Sequence, residues 1–361
     1  MNMKNPVAAP QKVLLLLTLI LCALGLLFVF EASTAEAFAT FGNPFYFVRQ
    51  QALWLFLGVI GLTTSSFIPL SFWKKISPVL YGVAVILLIA TLLPGIGREI
   101  NGARRWLYFP GFSFQPVEVL KFAVVAFFAR WMTDHQKIGP FLFLTLIPTG
   151  LLLLQPDMGS ALIVLAIAFG MYFLAGAPLK GFALIGGLGV TALLIIILIS
   201  PYRLRRLTTF LNPESDPLGA SFHIHQITLA LGNGGILGEG IGKSRQKFSY
   251  IPEASTDSIF AIVAEEVGFL GSVILIALFA LFIRTLFQIT TKTKSGSYAY
   301  LLSTGLLIWL SMQIILNLSA IVALVPLTGI PLPFFSYGGT SLMMVLFVIG
   351  ILIQIGRKGD E

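Results

Sequence analysis

Apolar stretches about long enough to cross a hydrocarbon core recur from one end of this chain to the other, which rules out a water-soluble core as its main organising principle. Ten can be drawn, near residues 13–30, 50–68, 77–94, 116–133, 140–154, 158–176, 180–199, 257–287, 297–324 and 337–356, the fifth being short. They predict an all-α polytopic membrane protein with about ten transmembrane helices. One integral domain spans residues 1–361, and residues 200–256 form a large extracytoplasmic loop between the seventh and eighth spans. Composition agrees, with 57% hydrophobic and only 11% charged residues, far from soluble globular usage. Lys4 and Lys12 ahead of an apolar run, followed by Ala35-Glu36-Ala37, imitate a cleavable signal. The 18-residue run is too long for a usual signal core and reads as a retained anchor. Cys22 stands alone, so no intramolecular disulfide or cysteine metal set is available.

The net charge of +8 does not point to nucleic acid, because the basic residues are scattered through the segments between spans and form no single stripe. With a cytoplasmic N-terminus, every inner segment is basic, including Lys74, Lys75, Arg130, Lys137, Lys180, Arg284, Lys292, Lys294, Arg357 and Lys358. That is the positive-inside pattern of a cytoplasmic membrane protein with both termini inside. Two outer segments break it: residues 95–115 carry Arg98, Arg104 and Arg105, and the long loop carries Arg203, Arg205, Arg206, Lys243, Arg245 and Lys247. Long loops cross regardless of charge, so the short segment is the more informative exception. An outward basic patch beside the bilayer suits a lipid-linked phosphate or pyrophosphate, which arginine grips with two N–H groups.

Glu118, Glu265 and Glu266 fall within spans, and Asp157 and Asp257 lie at span entrances. A central charge costs roughly 2.5 to 3.5 kcal/mol on insertion scales, so such groups face a cavity or a partner. Lys121 follows Glu118 by three residues, on the same helix face, which allows a structural ion pair as well as a cavity role. Glu265 and Glu266 diverge by about 100 degrees and read as structural. Asp257 opens a long apolar run after Pro252-Glu253-Ala254-Ser255-Thr256. It can be a helix cap or a general base at the mouth of a cavity, its pKa raised by partial desolvation.

Other patterns mislead. Gly238-Glu239-Gly240-Ile241-Gly242-Lys243-Ser244 approaches a phosphate loop, but Leu237 stands where that spacing needs glycine, and no strand precedes it. No nucleotide is expected, and the stretch reads as a flexible hinge. His223 and His225, two residues apart with no third ligand, read as loop or interface residues. Trp54, Trp73, Trp106 and Trp131 lie near span ends as interfacial anchors, and Trp106 beside two arginines could also line a sugar site.

Several blocks together resemble the SEDS family (shape, elongation, division and sporulation), which comprises FtsW, RodA and SpoVE. They are Asn101-Gly102-Ala103-Arg104-Arg105-Trp106, Phe114-Gln115-Pro116-Val117-Glu118-Val119-Leu120-Lys121, Gln155-Pro156-Asp157-Met158-Gly159, Pro252-Glu253-Ala254-Ser255-Thr256-Asp257 and Thr328-Gly329-Ile330-Pro331-Leu332-Pro333-Phe334-Phe335-Ser336-Tyr337-Gly338-Gly339. The resemblance covers nearly the whole chain. Gly232-Asn233-Gly234-Gly235 and Lys243 through Phe248 look more like the division branch than the elongation branch.

The resemblance implies a peptidoglycan glycosyltransferase that polymerises lipid II on the outer face of the cytoplasmic membrane. Its partners would be the nascent glycan strand, a class B penicillin-binding protein acting as transpeptidase, and other divisome or elongasome membrane proteins. Asp257 would deprotonate the acceptor 4-hydroxyl. Arg104, Arg105, Arg245 and Lys247 would bind the lipid pyrophosphate, and Glu118, Lys121 and Asp157 would line the cavity. A divalent cation, Mg or Mn, is an admissible helper for the leaving group. The chain departs from the family at Ser255, usually histidine, and at Ser258, usually aromatic, which bears on hydrogen bonding around Asp257. A precursor flippase would use the same intramembrane charges but calls for inverted repeats, of which none is evident. A noncatalytic scaffold for the transpeptidase would need Asp257 only as a cap.

Overall fold

The computed structural model describes residues 9–358 except 101, 110–111, 135–136, 178–185, 188, 190, 192–197, 215–220, 248–250 and 252. The elements in chain order are α1 Pro10–Phe41, α2 Tyr46–Ser65, α3 Leu70–Leu92, β1 Gly97–Ile100, β2 Ala103–Phe109, β3 Phe112–Phe114, α4 Pro116–Asp134, α5 Ile138–Leu154, α6 Met158–Leu174, α7 Pro201–Leu211, α8 Phe222–Asn233, α9 Ile259–Thr290, α10 Tyr298–Ile321 and α11 Gly339–Lys358. Five of these, α1, α3, α9, α10 and α11, are long and apolar enough to cross a bilayer, and α5 and α6 are shorter apolar helices. The chain is a multi-pass membrane protein. Most of the seventh expected span, 180–199, lies outside the described residues.

Helix boundaries follow local chemistry. Proline stands at the start of α1, where its missing N–H is not needed. The same helix stops at Gly42, whose left-handed conformation (φ +65°) lets its N–H close on the Phe38 carbonyl. Within the bundle α4, α10 and α11 are the most buried, and α4 hides Glu118 and Lys121 along with its apolar residues. Lipid supplies little hydrophobic drive between helices, so close backbone approach and interhelical hydrogen bonds hold them. At the α2–α11 contact, Ser65 Oγ donates to the Phe347 carbonyl at 2.7 Å. A Cβ on Gly350 would come within 2.1 Å of the Leu62 carbonyl oxygen.

Three features depart from expectation. Strands β1, β2 and β3 form an antiparallel sheet in that order, in which Ile100 pairs with Ala103. The Asn-Gly pair at 101–102 is a strong short-range hairpin signal, and Gly102 takes a positive φ of +74°. The long loop is not open chain, since α7 and α8 lie within it. Finally, α9 begins at Ile259 instead of 257, and Ser258 occupies its N-cap position without a side-chain capping bond. Asp257 is therefore not the cap.

Helix α9 is also broken. Gly268 takes φ +69°, ψ −169° inside it, and the freed backbone groups are satisfied by residues 235–240 laid alongside. Phe269 N–H donates to the Gly235 carbonyl at 2.9 Å, Glu239 N–H to the Glu265 carbonyl at 3.0 Å, and Gly240 N–H to the Glu266 carbonyl at 3.0 Å. The glycine-rich stretch read as a flexible hinge is a fixed brace. A Cβ on Gly268 would sit 2.2 Å from the Gly238 nitrogen, so glycine is required there.

Candidate active site

The turn that carries Asp257 is tied down on several sides. Glu253, at φ +52°, accepts through its carbonyl from the N–H groups of Thr256 (3.1 Å) and Ser258 (3.2 Å). The 328–338 loop reaches over to meet this turn. Ser336 Oγ donates to the Thr256 carbonyl at 2.6 Å, and Tyr337 N–H donates to the Ser255 carbonyl at 2.7 Å. From α10, Asn317 Nδ2 donates both to the Asp257 carbonyl (2.9 Å) and to the Ile330 carbonyl (2.7 Å). The backbone of Asp257 is thus fixed while its carboxyl faces a cavity of about 350 Å³. Arg205 and Arg206 of α7, His223 of α8, Glu253, Asn317 and Gly329 share that wall.

Burial is the main reason the Asp257 carboxyl is pushed up to about 7, and the nearby Glu253 carboxylate adds to it. Arg105 and Arg206 act in the opposite direction, and Asp157 raises it slightly. A carboxyl balanced near neutrality can take a proton and release it again. His223 moves the other way: burial first, then the Arg206 charge, lower it to about 4, so its imidazole is neutral at neutral pH.

The expected site residues separate into three groups. Arg105 and Asp157 lie near Asp257. The Arg105 guanidinium donates to the Gln155 carbonyl at 3.4 Å and to the Pro156 carbonyl. Asp157 caps α6 by accepting from Ser160 N–H at 3.1 Å. Glu118 and Lys121 do not line this cavity. They form a buried ion pair at 2.8 Å, and Lys121 Nζ also meets Gln313 Oε1 at 3.0 Å and lies 5.1 Å from the Trp309 ring centre. Gln313 Nε2 in turn donates to the Pro331 carbonyl at 3.0 Å, so the pair supports the loop that holds Asp257. Arg104, Arg245 and Lys247 are elsewhere. Arg104 pairs with Glu99 at 3.2 Å on the exposed sheet. Arg245 is exposed. Lys247 is buried, with Nζ 3.1 Å from Glu31, 3.5 Å from Glu266 and 2.7 Å from the Gly242 carbonyl. These contacts make Lys247 a clamp between α1, α9 and the brace, because a buried cation so fully paired is not offered to a ligand.

Glu265 and Glu266 do serve structure. Ser244 Oγ donates to Glu265, and Ser244 N–H approaches Glu266 at 3.4 Å. Arg206, His223, Glu253 and Asn317 were not singled out as site residues. The amide of Asn317 inside a largely apolar span was the available signal, since a polar side chain there needs a partner.

The profile of the FtsW, RodA and SpoVE family, described as "cell cycle protein", matches residues 11–361. Stage V sporulation protein E of Bacillus subtilis is 35% identical over 97% of both chains. The probable peptidoglycan glycosyltransferase FtsW of Coxiella burnetii is 37% identical over 95% of both. Among solved structures, a chain from work on the coordination of polymerization and crosslinking by a peptidoglycan synthase complex has a TM-score of 0.78 and 31% identity, covering 96% of this chain and 97% of that one. The rod shape determining protein RodA of Thermus thermophilus has a TM-score of 0.69 and 28% identity over 95% of both chains. With residues 11–361 matched by the family profile and a solved structure of the same fold covering 96% of its length, the chain belongs to the FtsW/RodA/SpoVE family of membrane proteins.

Proposed function

We propose that this protein polymerises lipid II into glycan strands on the outer face of the cytoplasmic membrane, with Asp257 as the general base. The observation that carries this reading is the fixed turn that presents a carboxyl balanced near pH 7 to a cavity walled by arginines. Asp257 takes the proton from the acceptor 4-hydroxyl as that oxygen bonds to the anomeric carbon of the donor. The bond to the lipid pyrophosphate breaks with its electron pair going to the leaving group, giving inversion from an α donor to a β link. Arg206 and Arg105 are the cations placed to stabilise that charge. The leaving group needs little protonation, so one base suffices, in contrast to the two carboxylates of glycosidases.

Among the described residues no three carboxylate, histidine or cysteine side chains gather at one point, so a divalent cation would be held by the Glu253 carboxylate together with substrate phosphate oxygens and water, with Asp257 left free as the base. Such an ion would neutralise developing pyrophosphate charge. The chain would work beside a class B transpeptidase in cell division or shape, a reading supported by its likeness to a chain from a peptidoglycan synthase complex in which polymerization and crosslinking are coordinated. The basic inner segments support termini in the cytoplasm and the cavity outside.

The test is polymerisation of labelled lipid II by the protein with its cognate transpeptidase, comparing wild type with Asp257→Asn at matched folding. Ladders from wild type only are expected. Equal ladders from both would overturn the assignment of the base.

A further inference from the structure

His223 Nε2 lies 2.8 Å from Ser258 Oγ, joining α8 to the residue that follows Asp257. Ser258 is fully buried. A buried hydroxyl must spend its proton on an acceptor, and among the described residues the acceptor within reach is His223 Nε2. Ser258 Oγ–H therefore donates to Nε2, and the neutral ring carries its own proton on Nδ1. Among the described residues Nδ1 has no hydrogen-bond partner. The ring is only partly buried, on the cavity wall that also holds Asp257. The result is an uncharged N–H donor of fixed tautomer beside a carboxyl and two arginines.

Charge decides what such a donor is for. The arginines suit phosphate oxygens. A cationic histidine would compete with them and would hold the Asp257 carboxyl down as a poor base, which the neutral ring does not. A neutral donor suits a neutral acceptor, meaning a hydroxyl or N-acetyl oxygen of the amino sugar. We propose that His223, set in one tautomer by Ser258, binds and positions the sugar portion of the substrate against Asp257. This rests on the glycosyltransferase reading above and adds a specificity-determining contact to it. His223 is a positioning residue, since the reacting proton goes to Asp257. The small side chain at 258, at a position where the resemblance implies an aromatic, is what lets a ring from α8 reach this spot.

The experiment measures two quantities on the full-length protein in nanodiscs: equilibrium binding of lipid II fluorescently labelled on its stem peptide, and steady-state polymerisation with the cognate transpeptidase. The variants are His223→Ala, His223→Gln and Ser258→Ala. Glutamine can both accept from Ser258 and donate into the cavity. Loss of one neutral hydrogen bond is expected to weaken labelled lipid II binding and kcat/KM by about 3- to 10-fold in His223→Ala. His223→Gln should recover most of both. Ser258→Ala, which frees the tautomer but keeps the ring, should lie between them, with unchanged thermal stability in His223→Gln. Binding by His223→Ala equal to wild type overturns the proposal, and so does an equal loss in His223→Ala and His223→Gln accompanied by a lowered melting temperature. If wild type binds the probe but makes no polymer, the glycosyltransferase reading fails and the binding series still decides the role of His223. If wild type does not bind the probe, both fail.

Discussion

Asp257 stands between opposing fields. Burial and the carboxylates of Glu253 and Asp157 favour its neutral form, and Arg105 and Arg206 favour the charged one. This balance has a cost that stability measurements can read. Its folded pKa, about 7, lies above the usual aspartate value of about 3.9, so the folded state holds a proton that the unfolded chain releases. The linked stability is present at low pH and is lost as pH rises from about 4 through about 7. Asp257→Asn should then melt higher than wild type above pH 7, by on the order of 1 to 3 kcal/mol, and the gap should close towards pH 4. A variant less stable than wild type at high pH would contradict the desolvated carboxyl. Glu118 makes the opposite case, because its partner Lys121 is as deeply buried as it is. Glu118→Gln leaves that ammonium without its counter-ion and should destabilise by about 3 to 5 kcal/mol. The resulting loss of polymerisation would come through Gln313 and Pro331, so kcat should fall together with the melting temperature.

At the scale of elements, the brace at the α9 break is the part most exposed to test. Gly268→Ala would drive a methyl group into the Gly238 nitrogen, so it should lower the melting temperature by several degrees and expose residues 235–240 to hydrogen exchange. Lys247→Met should act similarly by leaving Glu31 and Glu266 facing each other without their shared cation. Much of this level is readable from sequence: expected spans at 116–133, 297–324 and 337–356 fall within a few residues of α4, α10 and α11. The break at Gly268 is not, because its sole local mark is one glycine, and the backbone that satisfies it comes from thirty residues upstream. The Asn101-Gly102 pair carries a hairpin signal that went unread, because strands this short are submerged by apolar runs on both sides. At the site, three of the expected residues, Asp257, Arg105 and Asp157, lie near one another. Arg104, Arg245 and Lys247 lie apart from them, and a sequence shows a cation without showing that a glutamate already holds it, as Glu99 holds Arg104 and Glu31 and Glu266 hold Lys247. His223 was passed over because its partner Ser258 is distant in sequence.

For the whole molecule, a Cβ on Gly356 would meet Gln11 and Ile289, so α1 begins and α11 finishes beside the end of α9 far from Asp257, and sidedness can be tested with two labels. In a variant with Cys22 replaced by serine, a cysteine at Glu214 should react with an impermeant maleimide in intact spheroplasts. One at Lys294 should react only after lysis. The reverse pattern would put the cavity in the cytoplasm and remove lipid II on the outer face as its substrate. Fold and chemistry meet in one titrating group, Asp257, and its decisive test is the pH dependence of kcat/KM for lipid II polymerisation. A general base at Asp257 gives a rise of about tenfold per pH unit that levels off near pH 7, and a rate in Asp257→Asn that is lower by about 100-fold or more and lacks this ionisation. A wild-type profile flat from pH 5 to 9, or the same ionisation surviving in Asp257→Asn, would show that the proton goes elsewhere.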